Sequence, residues 1–128
     1  MANILIAVTG SIASYKSADL VSSLKKQGHQ ITVLMTEAAR EFIQPLTLQV
    51  LSQNPVHLDV MKEPAPDQVN HIELGKRTDL FIVAPATANT IAKLAHGFAD
   101  NMVTSTALAL PNHVKKLVAP AMNTKMYD

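Results

Sequence analysis

Asn3-Ile4-Leu5-Ile6-Ala7-Val8-Thr9 runs directly into Gly10-Ser11-Ile12-Ala13-Ser14-Tyr15-Lys16, and the join between the two decides the fold. Ile4 to Val8 are apolar without alternation, the pattern of a parallel strand covered on both faces. Gly10-Ser11 lets the chain turn sharply, and helical periodicity follows. At such a turn, backbone amides and a serine hydroxyl face an anion at the helix N-terminus, so a phosphate fits there. Ser11 equally suits an ordinary helix N-cap. Neither G-x-G-x-x-G nor a P-loop is present, which argues against a dinucleotide or ATP and leaves a mononucleotide cofactor.

Working outward, residues 30–36, 79–85 and 114–120 repeat the short apolar strand pattern. Helical patterns lie between the strands. Residues 14–27 place Ala18, Val21 and Leu24 on one stripe and stop at Gly28; residues 87–96 stop at Gly97, and residues 100–110 at Pro111. Residues 37–53 look helical but broken by Pro45, and residues 54–68, with Pro55, Pro64 and Pro66, read as loop with one edge strand around residues 56–60. Alternating strands and helices predict an α/β fold: a Rossmann-like or flavodoxin-like open parallel sheet with helices on both faces. Ligands of such sheets sit at the carboxyl ends of the strands.

Composition narrows the function. A chain of 128 residues is the usual size of one domain, taken as residues 1–128, and 48% hydrophobic against 16% charged residues points to association into an oligomer. Eleven basic and ten acidic residues give a net charge of +1, and no basic cluster exceeds a pair, so nucleic acid is not the expected partner. Without cysteine there is no disulfide, thiolate metal site or cysteine nucleophile in these residues. The apolar runs are too short to span a bilayer and no signal pattern opens the chain, so a soluble, cytoplasmic protein without membrane attachment is expected.

Two later segments follow strands and carry chemistry. Pro85-Ala86-Thr87-Ala88-Asn89-Thr90 combines small side chains with hydrogen-bonding ones, which suits close approach to a planar ligand, although Thr87 or Asn89 could simply cap a helix. Pro120-Ala121-Met122-Asn123-Thr124-Lys125-Met126 offers apolar contact plus an amide able to hold a carboxylate; a loop that only reverses the chain would more often use Gly, Asp or Ser. Of the histidines at 29, 57, 71, 96 and 113, His96 beside Gly97 suits a helix C-terminus. His71 could reach the functional sheet edge or merely cap a helix. His71-x-Glu73 resembles half of a zinc deaminase motif whose cysteine half is missing, so no metal is expected.

In this order, Gly10 to Lys16, Thr36-Glu37-Ala38-Ala39, His71-Ile72-Glu73-Leu74, Pro85 to Thr90, Asp100-Asn101 and Pro120 to Met126 resemble the homo-oligomeric flavin-containing cysteine decarboxylases. The likeness spans nearly the whole chain. It implies FMN as cofactor, contacted by Gly10, Ser11, Ile12, Thr36, Thr87, Ala88, Asn89, Thr90 and Ala121. It further implies His71 as catalytic base, Asn123 as ligand of the substrate carboxylate and Met126 as part of the same pocket. The implied reaction is decarboxylation of 4′-phosphopantothenoylcysteine to 4′-phosphopantetheine in coenzyme A biosynthesis, by a homotrimer or higher homo-oligomer with flavin at the subunit contact.

The chemistry has a clear need. An α-amido carboxylate cannot hold the electrons left when carbon dioxide departs, and in the family the flavin creates a sink by oxidising the thiol end of the cysteine to a thioaldehyde. Family chains normally continue some tens of residues past the Met motif into a flap whose cysteine protonates the intermediate. This chain stops at Asp128 without a cysteine, so FMN binding and the oxidative half of the reaction are expected ahead of full turnover. A peptidyl-cysteine decarboxylase, a non-catalytic FMN-binding regulatory subunit and a flavin prenyltransferase are the alternatives; His71 and Asn123 together favour a decarboxylase.

Overall fold

The computed structural model describes residues 1–58, 76–86, 88–97 and 102–120. β1 (Asn3–Val8) leads through a 3-10 turn (Ile12–Tyr15) into α1 (Lys16–Lys26), and β2 (Gln30–Met35) through a second 3-10 turn (Ala38–Glu41) into α2 (Pro45–Ser52). β3 (His57–Leu58), β4 (Leu80–Ala86), α3 (Ala88–His96), α4 (Met102–Ala109) and β5 (Lys115–Pro120) follow. All strand pairs are parallel, in the order β3-β2-β1-β4-β5. The expected α/β architecture is therefore present, with the strand order of a Rossmann-type sheet.

Every apolar residue of β1 is buried because its two faces serve two cores. Ile4, Ile6 and Val8 join Ile31, Val33 and Met35 beneath α1 and α2, where Val21 and Leu48 are fully buried. Leu5 and Ala7 join Leu34, Phe81 and Val83 beneath α4, which contributes Val103 and Ala107. Each of the larger apolar side chains among them contributes about 2 kcal/mol on leaving water, the alanines less. The stripe expected on α1 is seen: Val21 is in the core, with Ala18 and Leu24 packed against it.

One local expectation changes. Pro45 does not interrupt a helix; it occupies the first turn of α2, where its fixed φ and missing N–H cost nothing. The expected edge strand is present: among the described residues it pairs through His57 and Leu58, against Leu34 and Met35, and the part of the expected stretch beyond residue 58 lies outside the described residues. Gly28 and Gly97 adopt positive φ (92° and 72°) directly after α1 and α3, as helix-ending glycines do.

One core position is poorly matched to its surroundings. Thr106 on α4 is fully buried, and its hydroxyl has no hydrogen-bond partner among the described residues. Valine has nearly the same shape and no polar group to desolvate. Thr106→Val is expected to stabilise the protein by about 1 kcal/mol, raising the thermal unfolding midpoint by about 3–5 °C. A lowered midpoint would show that the hydroxyl has a role in the folded chain.

Candidate functional site

Strand order reverses between β1 and β4: from β1 the chain proceeds to β2 on one side and later to β4 on the other. The crevice at the carboxyl ends of these strands is where ligands of open parallel sheets bind. The turns after β1 and β2 meet there beside the end of β4, and the described site residues Gly10, Ser11, Ile12, Thr36 and Thr90 belong to these turns or to the helices that follow β1, β2 and β4. Ala88 and Asn89 begin α3 at the same end. Thr87, His71, Ala121, Asn123 and Met126 lie outside the described residues.

The first turn is built by small hydroxyl residues. Ser11 caps the 3-10 turn: its Oγ accepts the Ala13 N–H at 3.0 Å, and the Ser11 N–H donates to Ser14 Oγ at 3.0 Å, a reciprocal capping box. The N-cap reading of Ser11 is thus correct, and it does not exclude the anion reading. Ser11 Oγ receives a hydrogen bond and still has its own proton to give. Among the described residues the amides of Gly10 and Ile12 have no protein partner. One hydroxyl and two N–H groups at the start of a continuous helical segment suit a phosphate.

Gly10 also permits a close approach. Its φ is not in the left-handed region. It is small because the second turn presses on it: a Cβ there would stand 2.6 Å from Ala38 Cβ and 2.9 Å from the Ala38 carbonyl carbon. The second turn is fixed by Thr36, whose N–H donates to the Val8 carbonyl at 3.0 Å and whose Oγ1 accepts the Ala39 N–H at 3.3 Å. The first and second turns therefore form one surface, and glycine is what lets them meet.

Two further residues at this end, Thr9 and Ser14, were given no role by sequence reasoning. Thr9 and Ser14 are buried polar groups, and both hydrogen-bond within the site. Their one signal in the sequence is position, a hydroxyl directly after a fully apolar strand and another at helix-start spacing from Ser11. Thr90 is buried on α3. Ile12 and Tyr15 point outward beside the turn, 83% and 59% exposed, an unusual degree for large apolar side chains at a crevice.

Of the other titratable groups, His57 is half-buried on β3. Burial pushes its pKa below the usual 6.5, and the positive charge of Arg77 pushes it the same way. Folded His57 resists a proton that the unfolded chain takes up, so its contribution is neutral above pH 6.5 and becomes a penalty as pH falls below it.

This frame, a parallel sheet whose switch-point turn has the geometry suited to an anion, is that of an α/β protein with a nucleotide-like cofactor. The chain belongs to the Flavoprotein family, whose profile matches residues 1–128. It is 66% identical over 125 residues to a probable phosphopantothenoylcysteine decarboxylase of Streptococcus mutans, covering 98% of this chain and 70% of that protein. It is 49% identical over 126 residues to the coenzyme A biosynthesis bifunctional protein CoaBC of Bacillus subtilis, covering 98% of this chain and 30% of that protein. Among solved structures, the FMN-dependent cysteine decarboxylase SpaF superposes with a TM-score of 0.87 at 28% identity, over all of this chain and 73% of that one.

Two measurements probe this geometry. Gly10→Ala must separate the first two turns, and is expected to cost about 1–3 kcal/mol in denaturant unfolding, as overpacking does; an unchanged midpoint would contradict the close contact with Ala38. His57→Gln is expected to flatten the loss of stability on the acid side of pH 6.5, seen in denaturant midpoints between about pH 5 and 8.

Proposed function

We propose that this chain binds FMN and decarboxylates 4′-phosphopantothenoylcysteine to 4′-phosphopantetheine, a step of coenzyme A biosynthesis. One observation carries the reading: a switch-point turn with a capped serine and two amides that have no partner among the described residues, in a Flavoprotein-family chain 66% identical to a relative named for this reaction. Ser11 with the amides of Gly10 and Ile12 would hold the phosphate. Thr36, Thr87, Ala88, Asn89, Thr90 and Ala121 would line the remainder of the cofactor. When bound, FMN would supply a two-electron oxidant for the thiol end of the substrate's cysteine, making an acceptor for the electrons carbon dioxide leaves behind, and would return the same two electrons to give the product thiol.

The protein's own groups have narrower tasks. His71, whose imidazole can accept or give a proton, serves the proton transfers at the substrate. Asn123 donates its amide to the substrate carboxylate and so orients the bond that breaks, and Met126 closes the pocket with apolar surface. We further propose a homotrimer or higher homo-oligomer acting in the cytoplasm. The exposure of Ile12 and Tyr15 supports association, since a neighbouring copy would cover them. Among the described residues no helix is long and apolar enough to cross a membrane.

The test is FMN loading followed by carbon dioxide release from 4′-phosphopantothenoylcysteine, with a peptide ending in cysteine as competitor. His71→Asn is expected to give yellow, FMN-bound protein with decarboxylation reduced at least about 100-fold, the usual share of a general acid or base. Unchanged turnover would remove His71 from its role, and preferential release from the peptide would make the enzyme a peptidyl-cysteine decarboxylase.

A further inference from the structure

The ladder between β1 and β4 ends at Ala7 and Val83, short of the crevice. Two residues further along, Thr9 rejoins the strands: its N–H donates to the Pro85 carbonyl at 3.3 Å, and its hydroxyl donates to the same oxygen. Thr9 is 1% exposed. Its own carbonyl accepts the hydroxyl of Ser14 at 2.7 Å, and Ser14 Oγ in turn accepts the Ser11 N–H at 3.0 Å. Ser14 is fully buried, and its carbonyl accepts the hydroxyl of Ser17 at 2.6 Å. A chain of buried hydroxyls thus connects the amide of Ser11 to the carbonyl of Pro85.

This chain spans the switch point. At one end is the turn suited to the phosphate, and at the other the end of β4 from which residues 87–90 follow. A ligand that touches both turns gains only if their separation is already set, because ordering them on binding would cost affinity. Buried hydrogen bonds suit this task, since breaking one leaves a polar group without water. We propose that Thr9, supported by Ser14, is a positioning residue that locks the phosphate turn to the β4 turn and so matches the crevice to the length of FMN. This rests on the FMN reading above. Thr9 and Ser14 touch no ligand in this scheme; they act through Ser11 and Pro85.

A lock between two turns has a signature that general destabilisation lacks. It matters for a ligand that reaches both turns and little for one that reaches a single turn. Riboflavin, which lacks the phosphate, is the second kind. Apo protein titrated with each flavin, followed by quenching of flavin fluorescence, separates the cases. Thr9→Val is expected to weaken FMN by about tenfold or more and riboflavin by less than about threefold. Thr9→Ser, which keeps the hydroxyl, is expected to restore FMN to within about threefold of the unmodified chain.

Equal losses for the two flavins would make Thr9 a residue of general stability and overturn the proposal, as would unchanged FMN affinity in Thr9→Val. Ser14→Ala keeps Thr9 in place and breaks the chain at its other link. It is expected to show the same FMN-selective loss, and it decides the question if Thr9→Val does not fold. Failure of the unmodified protein to bind FMN would instead overturn the cofactor reading itself.

Discussion

The structure depends on the complete burial of β1. A strand between two neighbours, with Ile4, Ile6 and Val8 in one core and Leu5 and Ala7 in the other, has no face left for solvent. Its direction is set by the sheet, and its carboxyl end must open at the rim. The first residues able to be polar are Thr9, Gly10 and Ser11, so the site begins where the apolar run ends. Both cores therefore act as the rigid mount for a small polar turn.

From that mount the site is assembled by close approach and by hydroxyl groups, with little contribution from charge. Gly10 yields space to Ala38, Thr36 holds the second turn to Val8, and Thr9 and Ser14 tie the first turn across to Pro85. Serine and threonine serve well here because each can accept from one backbone amide while donating to a carbonyl or a ligand. Hydroxyl and amide groups of this kind can offer oriented donors to an anion without the cost of burying an unpaired charge.

Much of this was legible from individual residues. The unalternated apolar strands, the glycines after α1 and α3 and the Ser11 cap all depend on local periodicity or local backbone geometry, and the observed elements follow them closely. Pro45 was misleading because a proline that stops a helix and one that opens a helix look alike until the preceding turn is known. His57 gave no sign of its depressed pKa, since burial and the field of Arg77 are properties of the folded arrangement.

The sequence by itself determined the strand-turn-helix unit at residues 3–16, because that follows from apolar patterning and from the turn and capping chemistry at a helix start. Only the tertiary structure decided why residue 10 is glycine and what Thr9 and Ser14 hold. Those answers depend on contacts with Ala38, distant by 28 residues along the chain, and Pro85, distant by 76. Neighbours that far apart in sequence meet only when the sheet has set the order of its strands.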